Sequence, residues 1–289
     1  PIKAETLMEG HEVKHNFDLS VKSLEGFTDL LAGTATGIKP CLEIRLATGH
    51  LSRVSSQHRH LVTCQDGTVD FRAASSLVPG QKLWLQLESG TLAGLCGLTE
   101  QLEHDLYGCL PERLGRKKDD EHSGQFLYLL GIVAASLESR HDIEIPIRNL
   151  SDACYELLSE CFSTELVTPD ARCRLDYRTC CLFGKMVDLL STDWELVPDC
   201  MLLWSRNSKL YYLLGLLTVL LRGFRQGRGM LLKTDDAIML QRLFQTAGYL
   251  VRREQVRDGL DRLTPFCKGS VKLFGSLDRV FEPGWSIDE

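Results

Sequence analysis

Two segments of this chain are apolar at nearly every position and carry a glycine at the same internal place: Leu129-Leu-Gly-Ile-Val-Ala-Ala-Ser-Leu137 and Leu213-Leu-Gly-Leu-Leu-Thr-Val-Leu-Leu221. They read as core helices, Phe126 to Leu137 and Leu210 to Leu221, with no polar face to turn toward water. Strand material and an amphipathic helix follow each one, Asp152 to Cys161 in the first case and Asp235 to Ala247 in the second, with Thr234 or Asp235 suited to cap the latter. The pattern therefore runs twice, from Phe126 to Phe162 and from Tyr211 to Val251. A helix residue without a Cβ lets a second backbone come close, so Gly131 and Gly215 are expected to face each other where the two halves meet.

Upstream the periodicity is different. Leu42-Glu-Ile-Arg-Leu46 alternates with period two, Thr36-Gly37 and Thr48-Gly49 punctuate, and Lys82 to Leu87 is a further strand candidate. From Gly49 to Gly80 the chain reads as two strands, a turn at Asp66-Gly67 and a third short strand, with Ser55 and His58 three residues apart at a strand end. A hydroxyl and an imidazole so placed can polarise one carbonyl. Between the β-rich and helical parts, Gly115 to Gly124 is a charge run bounded by glycines, which reads as a linker or exposed loop. The expected organisation is an all-β domain over 1–110, a linker over 111–124, an α+β domain over 125–262 and a return segment over 263–289.

The chain of 289 residues, 44% hydrophobic, has room for two domains with a core each. A net charge of -6 argues against a generally basic nucleic-acid coat, although a local patch can still meet phosphates. Eleven cysteines without framework spacing suit a reducing, cytoplasmic setting in which thiols pack as small apolar groups. The longest apolar run, Leu210 to Leu221, is too short to span a bilayer and is closed by Arg222, so no membrane is expected as a partner.

The two glycine-bearing helices resemble the helix that names the LAGLIDADG homing endonucleases. Val197-Pro198 ahead of the second copy, and Thr234 with Ala237 to Ala247 and Gly248-Tyr-Leu after it, are similar to that family's usual surroundings. In the family each helix ends on an acidic residue that holds a divalent cation for phosphodiester cleavage. Here those places carry Ser136 and Leu220, and the earlier aspartate places carry Ala134 and Thr218. Glu138 stands two positions on, a rotation of roughly 200 degrees on a helix. The resemblance therefore implies a domain that has lost cleavage and holds no metal, with double-stranded DNA still a possible partner. Arg222-Gly-Phe-Arg-Gln-Gly-Arg-Gly229, read as a short hairpin, offers Arg222, Arg225 and Arg228 to a phosphate backbone.

The segment around Ser55 and His58 resembles the B block of inteins, in which a Thr-x-x-His pair activates the N-terminal peptide bond; Ser55 stands for the threonine and His58 for the histidine. Pro1-Ile-Lys-Ala-Glu-Thr-Leu-Met8 is similar to the A block at Thr6 and Leu7, with Glu5 in place of the usual aspartate. Pro1 has no side-chain nucleophile, so it fits either the intein class that attacks this bond with an internal cysteine or an inactivated or engineered first residue. His60 stands where that class usually has tryptophan. Gly284-Trp-Ser-Ile-Asp-Glu289 contains neither residue of the His-Asn pair on which inteins close.

The two resemblances together imply a multi-domain chain: an all-β Hint-type horseshoe followed by a two-repeat α+β domain. The implied function is single-turnover protein splicing, with Ser55 and His58 catalytic and Pro1 at the splice junction. The nucleophile is expected to be a cysteine beyond Glu289. The implied partners are the host flanks in cis, with no cofactor, in a monomer. The alternative is a DNA-binding protein or an active homing endonuclease.

Two other constellations compete. His11-Glu-Val-Lys-His15 matches the HExxH string of zinc proteases, which requires both histidines on one helical face. Cys154, Cys161, Cys173, Cys180 and Cys181, with His141 nearby, contain no Cys-x-x-Cys pair and read as buried thiols. No phosphate-cradling loop, nucleophile elbow or dinucleotide fingerprint occurs.

Overall fold

The computed structural model describes residues 38–85, 87, 120–139, 142–146, 152–161, 164–167, 172–175, 196–197, 201–202, 204–222 and 229–274, with short strands at 13–15, 20–23, 26–29 and 32–34. The chain forms two compact units, Pro1–Gly90 and Thr91–Glu289. The division falls ahead of the boundary at residue 110 that the sequence suggests.

Every described element of the first unit is a strand, apart from one short 3-10 turn at Ala74–Ser76. Strand β1 (Val13–His15) pairs with β4 (Ala32–Thr34), and β2 (Ser20–Ser23) with β3 (Gly26–Asp29). Next, β5 (Cys41–Arg45) pairs with β6 (Leu51–Ser55), while β7 (Arg59–Thr63) lies between β8 (Val69–Ala73) and β9 (Lys82–Leu83). All pairs are antiparallel. The expected turns are present: Gly49 and Gly67 take φ of 81° and 84°, a region that costs glycine nothing. Asp66 closes its turn by accepting hydrogen bonds from the Thr68 hydroxyl (2.7 Å) and amide (3.0 Å). Those two bonds hold the Asp66 carboxyl below its usual range.

Among the described residues the core of this unit is thin. Val62 and Ala74 are its buried apolar side chains among the described residues, while Phe71 and Trp84 stand exposed. The all-β expectation agrees with these elements, but the small sheets do not by themselves make a Hint-type horseshoe.

The HExxH string is corrected here. Val13 to His15 form a strand, with His15 in register with Ala32, so a helix carrying both histidines is excluded; His11 lies outside the described residues. Strand geometry alternates faces every residue and cannot give the one-turn spacing that zinc binding by this string needs.

The second unit holds the main core. Its elements are α1 (Asp120–Ser136), β10 (Leu137–Ser139), β11 (Asp142–Pro146), α2 (Asp152–Cys161), β12 (Thr164–Val167) and β13 (Arg172–Leu175). They continue with α3 (Arg206–Arg222), β14 (Met230–Lys233), α4 (Thr234–Thr246), β15 (Val251–Arg257), β16 (Leu260–Pro265) and α5 (Lys268–Phe274). The two sheets run in the orders β10-β11-β13-β12 and β14-β16-β15. In each repeat the strand before the amphipathic helix pairs with the last strand of the hairpin after it, so β11, β13, β12 and β14, β16, β15 are topological equivalents. The doubled sequence pattern is a doubled fold.

Among the described side chains, α1 and α3 bury the apolar residues that their composition supplies: Leu127, Leu129, Leu130, Ile132 and Val133 on one, Leu210, Leu213, Leu214, Leu216 and Leu217 on the other. They cross at the two glycines. A Cβ on Gly131 would stand 2.3 Å from the Tyr212 carbonyl oxygen, and one on Gly215 would stand 2.0 Å from that of Tyr128. Tyr128 precedes Gly131 by three positions, and Tyr212 precedes Gly215 by three. The contact is therefore reciprocal, as two-fold related surfaces demand.

Two details differ from the sequence reading. Helix α1 begins at Asp120, inside the expected linker 111–124. Acidic residues such as Asp120 and Glu121 are favoured in a first turn by the helix dipole, so a charge run can open a helix as readily as fill a loop. Helix α4 is entered from Lys233, and no side chain caps it. The Thr234 amide reaches the Gly259 carbonyl (3.2 Å) and its hydroxyl reaches Asp261 (3.3 Å), so Thr234 is drawn to the neighbouring strand instead. At the other end of α4, Lys209 and Arg206 of α3 donate to the carbonyls of Thr246 and Ala247, both at 3.4 Å, placing cations at the negative end of the helix dipole.

Candidate nucleic-acid interface

The end of the helix pair is where the LAGLIDADG resemblance of the sequence would put a cation. Ser136, the last residue of α1, is buried, and its hydroxyl turns back to the Ile132 carbonyl of its own helix at 2.8 Å. On α3, Thr218 is buried and donates to the Leu214 carbonyl (2.9 Å), which leaves it to accept from the Tyr128 hydroxyl (2.8 Å). Ala134 and Leu220 are half-buried and offer no oxygen from their side chains. Magnesium and manganese need several convergent oxygens, preferably carboxylate. This donor set does not fit them, and among the described residues no three His, Cys, Asp or Glu side chains gather as a metal site. Glu138 lies in β10 and not on the helix, so a rotation about the α1 axis does not describe its position.

A different surface carries charge. The sheet β14-β16-β15 turns one face to α4, with Met230, Val251, Asp261 and Leu263 buried there. Arg253 shares that inner face and pairs with Asp261 at 3.4 Å. The register fixes the opposite face row by row. Lys233, Leu260 and Arg257 form one row, Leu231, Arg262 and Glu254 the next, and Thr264 stands opposite Arg252 in a third. Four cations thus share a face with one carboxylate, which Arg252 engages at 2.9 Å. Lys233, Arg252 and Arg257 are exposed and Arg262 half-buried. A flat row of such residues can meet regularly spaced phosphates.

The residues singled out in the sequence fall elsewhere. Arg222 is the last residue of α3 and not part of a hairpin, while Arg225 and Arg228 lie outside the described residues, as does Pro1. The cations of the β15-β16 hairpin were missed, although Asp258-Gly259 between two strands is a strong hairpin signal and Gly259 does take φ of 73°.

In the first unit, Ser55 ends β6 and His58 follows on the turn to β7. The His58 amide donates to the Ser55 carbonyl at 3.0 Å, and the Ala74 amide donates to the His58 carbonyl at 2.7 Å. No hydrogen bond joins the Ser55 hydroxyl to the His58 ring. That ring is exposed and meets His60 edge to face, centroids 5.0 Å apart. Burial, and then the charge of His58, lowers the pKa of His60 from its ordinary value.

No protein-family model matches the chain, and no curated protein does. Among solved structures it is similar to the LAGLIDADG homing endonuclease I-DmoI in complex with DNA and manganese, at 15% identity and a TM-score of 0.37, over 54% of this chain and 97% of that one. A variant of I-DmoI in complex with its target DNA gives 16% identity and a TM-score of 0.37, over 55% of this chain and 96% of that one. The complex of I-DmoI with DNA and calcium gives 16% and 0.36, over 54% and 89%. No described helix of the chain is long and apolar enough to cross a membrane.

Proposed function

We propose that the unit Thr91–Glu289 is a two-repeat, LAGLIDADG-like domain that docks on double-stranded DNA and does not cut it. The observation that carries this reading is the outer face of the second sheet, where Lys233, Arg252, Arg257 and Arg262 stand against Glu254 alone. The doubled topology supports it, as does the sequence resemblance of the two glycine-bearing helices. The absence of cleavage follows from Ser136 and Leu220: one hydroxyl is committed to its own helix and the other side chain is hydrocarbon. Gel-shift titration of duplex DNA with the purified chain tests the reading. Binding that weakens steeply with salt is expected, and strand cleavage in magnesium or manganese is not.

A second reading concerns the first unit, and one observation favours it. The Ser55 to His58 turn is closed by a backbone bond and leaves an exposed imidazole three residues from a strand-end hydroxyl. Such a turn can polarise a carbonyl brought to it, which is the chemistry that splicing at Pro1 needs. Expression between two foreign flanks tests it: release of the flanks, and its loss in His58→Ala, is the expected result.

A further inference from the structure

The two repeats share a topology but not a charge, and the difference lies on equivalent rows. Arg174 on β13 and Arg262 on β16 occupy the same place in their sheets, each opposite a glutamate on the outer hairpin strand, Glu165 and Glu254. On the third strand of that row the first repeat has Glu144 and the second has Leu231. The neighbouring row reads Pro146, Arg172 and Val167 in the first repeat against Lys233, Leu260 and Arg257 in the second. Over these two rows the register of the first repeat holds two cations and two carboxylates, whereas that of the second holds three cations and one carboxylate. Arg252, in its third row, adds another. Counted over all strands, β10 to β13 carry four acidic and two basic residues, while β14 to β16 carry two acidic and five basic ones.

We propose that contact with DNA is carried by the second repeat's sheet alone, so that the domain grips one half of the duplex stretch that its two-fold fold could span. This rests on the DNA-docking reading above and adds which repeat does the work. Duplex binding by cations releases condensed counterions, and each neutralised phosphate contributes a slope of about -0.9 to the dependence of log affinity on log salt. A sheet whose strands carry no surplus of cations over carboxylates releases few. A sheet with a surplus of exposed cations releases several.

The test compares two double variants of the full chain in salt-dependent binding to a duplex selected from a random pool. Lys233→Ala with Arg257→Ala is expected to weaken binding at least tenfold at low salt and to reduce the slope by roughly two units. Arg172→Ala with Arg174→Ala is expected to stay within about twofold of the parent, with the parent slope. Hydroxyl-radical footprinting should show one protected patch on the parent complex. Glu144→Lys with Glu165→Lys should add a second. Equal losses from the two alanine pairs, or two protected patches on the parent, would overturn the one-repeat proposal while leaving DNA docking intact. A parent chain that binds no duplex would overturn both. Unchanged melting temperatures identify variants that have kept their fold.

Discussion

The Tyr128 hydroxyl reaches Thr218 at 2.8 Å across the helix pair, and its symmetry counterpart is missing. Shifted by the separation of Gly131 and Gly215, Tyr128 becomes Tyr212 and Thr218 becomes Ala134, which has no hydroxyl to offer. Tyr212 instead donates to the Leu196 carbonyl at 2.8 Å and stacks edge to face on Trp204. The backbone contact of the two helices is symmetric, whereas the polar contact is one-sided. The bond should have a measurable coupling. A double-mutant cycle of Tyr128→Phe and Thr218→Val in urea denaturation is expected to give about 1 kcal/mol, the net worth of a buried neutral hydrogen bond.

The glycines at the crossing should tolerate no Cβ. Gly131→Ala and Gly215→Ala gain about 1 kcal/mol of helix propensity, but each drives a methyl into a backbone carbonyl that cannot step aside. Net destabilisation near the upper end of the usual overpacking cost of about 1–3 kcal/mol is expected for each. At Gly124 the atoms nearest an added Cβ belong to the Tyr211 ring and not to backbone, so Gly124→Ala should cost less. Thermal denaturation of the three variants ranks them.

Asp261 is 3% exposed and held by Arg253 at 3.4 Å and Thr234 at 3.3 Å. Removing the cation while keeping the carboxylate leaves a buried charge with less support, so Arg253→Leu is expected to cost about 3 kcal/mol by denaturant titration. Arg252→Leu, which breaks only an exposed pair on the other face, should cost well under 1 kcal/mol.

The crossing of the seam helices was legible because a glycine inside an otherwise apolar helix has few other uses, and the Asp66-Gly67 turn because its residue types demand it. The strands of the β15-β16 hairpin were not, despite the Asp258-Gly259 turn between them, since Val251-Arg-Arg-Glu-Gln-Val-Arg257 has no apolar alternation: Arg253 sits on the inner face where a strand pattern calls for hydrocarbon, and its partner Asp261 stands across that turn. Glu138 lies in a strand, and a helical rotation does not place it, because nothing local marks Ser136 as the last helical residue. For the Ser55 and His58 pair, spacing identified the turn, but spacing does not say whether the two side chains bond, and they do not.

His60 gives the first unit a pH dependence whose sign is fixed. Its folded pKa lies below the ordinary 6.5, first because burial disfavours the charged ring and second because His58 is near. The unfolded chain therefore takes up the proton first. The contribution to stability is full above about 6.5 and is lost as pH falls through the lowered folded value. Ring titration by NMR should find His60 below 6.5 in the parent. In His58→Ala it should rise yet remain below that value, because burial persists.

On the reading proposed for it, the second unit holds DNA without breaking it. Its most direct test takes duplexes retained by the purified chain from a random pool, adds magnesium or manganese, and resolves both strands on a denaturing gel. Intact strands, bound by the parent and released by Lys233→Ala with Arg257→Ala, are expected. Cuts at a fixed position in the parent's presence would contradict this reading, showing that carboxylates away from Ser136 and Leu220 assemble a working metal site.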